Sequence, residues 1–380
     1  MARGHFGARI LLAIGAGTVA AAACGSEEGS SGKALDASLA EGGDDAPSAD
    51  GAGDAVSEVA PGDATARDAQ DATSADGDGQ ACTPVPGACT VPGDCCPPAT
   101  CIGSHCYVSV RRPFLVGSSL RLADAVERTD WGMDSAATPA VALDPRTAAA
   151  LARDWLHDAC EEHASIAAFA RFTMHLVAVG APPEMIAESQ RAAVDEIQHA
   201  RACFALARRY GGRAMGPGEL SLDGAMTPST LPEIAALTAE EGCVGETLGV
   251  LLAERQLAMT TDPLVRSLLV QANIVTDEAR HAELAWRFVA WAVARGGEPV
   301  RRAVADAIRR AVAETLATPI RSYPGVDVAA WRAHGRLTCA DARAVAAQGI
   351  REIIEPCAAA LLGDPRPNTR DVTDDRTCSA

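Results

Sequence analysis

Between Pro145 and about Pro319, apolar residues recur every three or four positions, the period of a helix with one buried face. Gly and Pro divide this stretch into four segments. The first is expected from about Arg146 to Val179, closed by Gly180-Ala181-Pro182, and the second from near Pro183 to Gly211-Gly212. The third is expected from about Pro232 to Met259, and the fourth from about Pro263 to Arg295-Gly296. Tight turns join the first to the second and the third to the fourth. Some 20 residues rich in Gly and Pro, Gly211 to Leu231, join the two pairs. The pattern predicts an all-α fold, a four-helix bundle with one long crossover over residues 147–297. Beyond it, 298–380 is expected to hold C-terminal helices and a tail, including a helix from about Cys339 to Leu362.

The first 146 residues are patterned differently. Arg3 and Arg9 precede an apolar run, Ile10 to Ala23, of signal-peptide length and too short to span a bilayer comfortably. The run ends in Ala21-Ala22-Ala23-Cys24-Gly25, which resembles a bacterial lipobox. The resemblance implies a signal peptide over 1–23, cleavage before Cys24 and diacylation of its thiol, hence a membrane anchor. An ordinary secretory signal is the rival. Gly25 favours an exported lipoprotein of the outer membrane. Residues 24–81 have almost nothing to bury. Between Gly25 and Gln80 there are 14 acids against two bases, Lys33 and Arg67, so the segment is expected to be a disordered acidic tether.

Residues 82–106 pack Cys82, Cys89, Cys95, Cys96, Cys101 and Cys106 among Pro and Gly, which predicts a small disulfide-rich module. The cysteine order resembles that of cystine-knot miniproteins. The resemblance implies the pairing Cys82–Cys96, Cys89–Cys101 and Cys95–Cys106, one of 15 connectivities. Zinc is the weaker reading, because adjacent Cys95-Cys96 chelates poorly. Residues 107–146 form a connecting segment of mixed character.

Composition narrows the function. The chain has 380 residues, a formal net charge of −17 and thirteen cysteines. With no basic tract or basic helix face, nucleic acid is excluded as a partner. That many cysteines fits an oxidising compartment.

The chemistry lies in the helices. The second contains Asp195-Glu196-Ile197-Gln198-His199-Ala200 and the fourth Asp277-Glu278-Ala279-Arg280-His281-Ala282. Glu and His three apart share a helix face. Two such blocks, with one Glu from each of two other helices, make a di-iron or di-manganese carboxylate site. In the first helix Glu162 shares a stripe with Trp155, Ala159, Ile166 and Phe169, while Glu161 sits beside it and is expected to be exposed. In the third, Glu241 lies on the stripe of Ile234, Leu237, Val244 and Leu248. Glu162 precedes Pro183 by 21 residues; Glu241 precedes Pro263 by 22 and Glu246 by 17. The expected metal ligands are therefore Glu162, Glu196, His199, Glu241, Glu278 and His281, with Glu246 as a possible addition. Buried carboxylates in apolar stripes are costly unless paired or metal-bound. A metal-free polar network is the alternative. His163 is expected at the surface or behind the ligands, and Cys160, Cys203 and Cys243 near the ligand level, as thiols or in an interhelical disulfide. Cys339, Cys357 and Cys378 could tie down the tail. No Tyr lies at the ligand level, which disfavours a tyrosyl radical.

These residues resemble the ferritin-like di-iron carboxylate superfamily, including rubrerythrin and the bacterial multicomponent monooxygenases. Glu162-His163-Ala164-Ser165 through Phe169 is similar to the rubrerythrin helix, with Phe where that family has Tyr. Asp277-Glu278-Ala279-Arg280-His281 is similar to the monooxygenase D-E-x-R-H motif. The overall layout resembles exported bacterial ferritin-like domain proteins. The resemblance implies two iron or manganese ions, with Asp195 supporting His281 and Asp277 supporting His199. It also implies a lipid-anchored oxidoreductase that reacts with dioxygen or peroxide, with an unknown electron donor or substrate. Iron storage in a cage is hard to reconcile with an anchor and tether on every chain. The reading from another class is a surface binding module whose metal is structural or vestigial.

Overall fold

The computed structural model describes residues 6–12, 14–15, 112–117, 119–133, 142–227, 229–317 and 325–363, and the backbone alone at 100–102 and 105–107. Cys24, the rest of the tether over 24–81 and the side chains of all six module cysteines lie outside the described residues, as does Cys378.

The fold is mostly helical. Helix α1 (Pro145–Ala178) begins where the Asp144 carboxylate accepts from the backbone N–H groups of Arg146 and Thr147, both at 3.0 Å, with Pro145 opening the first turn. Its chain reverses at Gly180, whose φ of +65° suits a residue without Cβ, and α2 (Pro183–Gly211) runs back along it. The third segment is not one regular helix. It starts as α3 (Leu231–Thr238), held by a Thr230–Glu233 capping box, continues as a π-helix (Ala239–Glu246), and ends as α4 (Thr247–Met259). The fourth segment also departs from expectation. It breaks between α5 (Pro263–Gln271) and α6 (Ile274–Ala317), where Asn273 has a φ of 54°. The helix then passes the expected stop. Gly297 (φ 60°, ψ −142°) followed by Pro299 bends it, and it resumes because Val300, Val304, Ala307 and Ile308 bury against the same core. The remainder is α7 (Val328–Ala333), α8 (Cys339–Gly349), a second π turn (Ile350–Ile354) and α9 (Glu355–Leu362).

Helix α1 packs along α2, while α3 and the first π-helix pack along α6, and α2 meets α6. At the junction of the π-helix with α6 the backbones approach closely. A Cβ on Gly242 would lie 2.4 Å from Ala285 Cβ. The described residues also form three short antiparallel pairs: β1 (Thr100–Ile102) with β2 (His105–Tyr107), β3 (Leu115–Val116) with β4 (Ser119–Leu120), and β5 (Ala125–Glu127) with β6 (Met215–Pro217). Cys101 sits opposite Cys106 in the first. The third ties the connecting segment to the long crossover.

Among the described residues two large apolar clusters and a small one around Phe114, Ala164 and Ala168 are buried. One large cluster centres on Phe169, Phe172, Leu248, Trp286 and Phe288, the other on Leu151, Trp155, Phe204, Leu206 and Leu268. Residues 6–12 and 14–15 of the expected signal peptide are helical, and Phe6, Ile10 and Ile14 bury in the first cluster. No helix among the described residues is long and apolar enough to cross a membrane. Cys160, Cys203, Cys243 and Cys357 are thiols, so no disulfide joins the helices at the ligand level; Cys339 is disulfide-bonded.

Candidate metal centre

The helices enclose a layer of buried ionisable groups. Helix α1 supplies Glu162, α2 supplies Glu196 and His199, the π-helix supplies Glu246, and α6 supplies Glu278 and His281. All six are at most 2% exposed. They form two overlapping donor groups. Glu162, Glu196, His199 and Glu278 each place a ligand atom within 4.8 Å of the others, and so do Glu196, Glu246 and His281. Glu196 belongs to both.

The imidazoles are oriented alike. His199 Nδ1 lies 3.5 Å from Glu196 Oε2 and 3.7 Å from Glu278 Oε1, and His281 Nδ1 lies 3.1 Å from Glu196 Oε1. Their outer nitrogens meet carboxylates of the opposite helix. His281 Nε2 is 3.2 Å from Asp195 Oδ2, and His199 Nε2 is 3.4 Å from Asp277 Oδ2. The D-E-x-x-H-A blocks thus brace each other across the α2–α6 interface. Such outer carboxylates fix the tautomer that leaves Nδ1 as an inward-facing donor. Phe169 packs edge-on against His281, with ring centroids 4.8 Å apart.

The charges of this layer are strongly coupled. Burial would raise the Glu196 carboxyl, but the close His199 and His281 imidazoles outweigh it and hold it low. Burial would lower His281, yet Asp195 and Glu196 lift it to about 9; His199, facing Asp277 and Glu196, is also raised. Burial and the neighbouring Glu246 and Glu196 push Glu278 well above the carboxylate range, and burial lifts Glu246 to about 7.

The structure does not bring Glu241 into this layer. Glu241 is 1% exposed, but it pairs with Arg171 of α1 and accepts a hydrogen bond from Leu115 N at 3.3 Å. The π-helix is the physical reason. Its i→i+5 bonding turns residues five apart toward one side, so Glu241 and Glu246 both face inward at different heights. Proline spacing cannot register that. Counted between acids, 34 residues separate Glu162 from Glu196, 32 separate Glu246 from Glu278 and 37 separate Glu241 from Glu278. That ruler favours Glu246. Glu161 is buried at 3%, with its Oε1 3.4 Å from His157 Nε2, because α1 is covered on that side too. His163 is half-buried and edge-on to Trp131.

One neighbour of the layer was not legible in the sequence. Arg112, in the connecting segment, is 2% exposed, and its Nη1 lies 3.7 Å from Glu246 Oε1.

No protein-family model matches the chain. No curated protein or solved structure is significantly similar to it either. Glu196 Oε2, Glu246 Oε1, His199 Nδ1 and His281 Nδ1 are buried without a hydrogen-bond partner. Inward-facing oxygen and nitrogen donors of this kind suit a divalent transition metal.

The π-helix also carries a separate titration. Burial, with the nearby Glu314 and Glu241, raises the Glu240 carboxyl to about 7, against a partial offset from Arg310. A carboxyl raised on folding favours the native state below its unfolded value, about 4.3, and that advantage is lost as pH rises through about 7. Glu240→Gln should therefore leave the melting temperature unchanged at pH 4 and raise it by a few degrees, roughly 2–4 °C, at pH 8. Equal shifts at both pH values would refute the assignment.

Proposed function

We propose that Glu162, Glu196, His199, Glu246, Glu278 and His281 hold two iron or manganese ions in a ferritin-like four-helix bundle. On this reading the protein is an exported, lipid-anchored oxidoreductase that reacts with dioxygen or peroxide. The observation that carries it is Glu196: a single carboxylate shared by two donor groups, with an inward imidazole nitrogen in each. Two such ions supply paired one-electron steps and open coordination positions for a small oxidant.

The chain's own residues do the rest. Asp195 holds the His281 ring by accepting from its Nε2, and Asp277 faces the His199 Nε2 at 3.4 Å and holds that ring in the same sense by charge. Burial raises the Glu246 and Glu278 carboxyls, and divalent cations would compete with their protons, so uptake should release protons and strengthen as pH rises. Phe169, Phe172 and Phe204, all fully buried, keep bulk water from the layer. The lipid anchor and tether rest on Cys24 and the acidic segment after it.

A second reading is a metal-free polar core in a surface binding module. It is favoured by Arg112, a protein cation already near Glu246. Metal analysis of purified full-length protein separates the two. The expected result is about two ions per chain, with peroxide consumed by the loaded protein. Glu246→Ala should lower the metal content and Glu241→Ala should leave it near that of the wild type. Protein without metal, whose melting temperature ignores added iron or manganese, would remove the di-metal reading and leave the binding module.

A further inference from the structure

Two features of the layer remain unused by this reading. The first is its asymmetry. Four donors surround one position, Glu162, Glu196, His199 and Glu278, while three surround the other, Glu196, Glu246 and His281. Among the described residues the three-donor position thus draws one fewer ligand atom from the protein.

The second is Arg112, which stands beside that position. Its guanidinium stacks on Phe169 at 4.3 Å and Phe172 at 5.0 Å. Its Nε and Nη1 are buried and make no hydrogen bond, and the nearest acid, Glu246 Oε1, is 3.7 Å from Nη1, beyond hydrogen-bond reach. A buried guanidinium with unmet donors is costly, so its persistence calls for a ligand. The seat is also built. Gly242 makes space for it, since a Cβ there would lie 3.1 Å from Arg112 Nη1. The segment that delivers it is clamped: Ser165 Oγ donates to Arg112 O at 2.9 Å, Leu115 N donates to Glu241 at 3.3 Å, and Arg171 donates both to Leu115 O and to Glu241. Glu241 thus serves the layer indirectly, by fixing the strap that carries Arg112.

We propose that Arg112 is an anion-binding residue of this site, its unmet Nη1 donating to a small monoanion of the size of azide, formate or hydroperoxide beside the Glu196–Glu246–His281 position. A guanidinium N–H makes a charge-assisted bond to such an anion and cannot be deprotonated there. It also offsets the repulsion an anion meets from Glu246 and Glu278. This inference rests on the two-ion reading above.

Azide is the probe, titrated by absorbance into full-length protein loaded with ferric ion, with metal content measured in parallel. The wild type should bind one azide per chain. Arg112→Met should keep its metal and bind azide about tenfold or more weakly, the loss expected when a charge-assisted donor is removed. Arg112→Lys should fall between. Azide affinity within twofold of wild type in an Arg112→Met protein with full metal content would overturn the proposal. So would loss of metal in that variant, which would make Arg112 a support for Glu246. A wild type that takes up no metal would instead sink the reading beneath it. Should neither variant fold, the wild type still decides. Acetate should displace azide and its neutral isostere acetamide should not; equal displacement by both would overturn the proposal.

Discussion

Glu196→Gln should abolish metal uptake at both positions, the largest effect expected of any single change in the layer. Each other donor belongs to one group, whereas Glu196 belongs to both and lies against both inward imidazole nitrogens. Gln keeps the volume but replaces an anionic oxygen with an amide that bridges cations poorly. His199→Ala should instead spare the Glu196–Glu246–His281 group and retain about one ion. The difference reads out without activity. Ligands that bind only the native state stabilise it by about 2.7 kcal/mol at a hundred times Kd, which for a helical region of this size is roughly 5–10 °C in melting temperature. Added manganese should raise the wild type by that amount and leave Glu196→Gln unmoved. Retention of both ions by Glu196→Gln would show that the two groups do not share it.

Much of this was legible in the sequence, for identifiable reasons. Helices α1 and α2 obey the period of 3.6 throughout and are bounded by Asp144-Pro145, Gly180 and Gly211-Gly212, whose effects on the backbone are local. The D-E-x-x-H-A blocks place Glu196, His199, Glu278 and His281 on inward faces by spacing alone, and the cross-bracing by Asp195 and Asp277 followed from a family resemblance. The illegible parts are those where a distant contact decides. The π-helix over Ala239–Glu246 admits one extra residue per turn with no composition that marks it, which exchanged the places of Glu241 and Glu246. Gly296-Gly297 reads as a stop, but burial of Val300 and Val304 carries the helix onward. Arg112 sits in a segment without periodicity, and only its packing on Phe169 and Phe172 beside Glu246 gives it meaning.

The same strap sets the second large effect. Arg171 and Glu241 are 4% and 1% exposed and pair directly between α1 and the π-helix. Arg171 also donates to Leu115 O, and its guanidinium lies 4.7 Å from the Phe114 ring centroid, so one side chain joins three elements. Arg171→Leu removes the cation and leaves the Glu241 carboxylate buried against Leu115 N alone. Breaking a buried pair from one side costs about 3–5 kcal/mol, because the surviving charge stays desolvated. Arg171→Leu should therefore melt far below the wild type, on the order of 10 °C lower. The double variant Arg171→Leu/Glu241→Leu should recover most of the loss, since two well-packed apolar side chains replace a buried ion pair at little net cost. Its strap, freed from both clamps, should hold Arg112 less firmly, so stability would return while azide affinity stayed low. A double variant as unstable as the single one would mean that Arg171 acts through Leu115 and Phe114 instead of through Glu241.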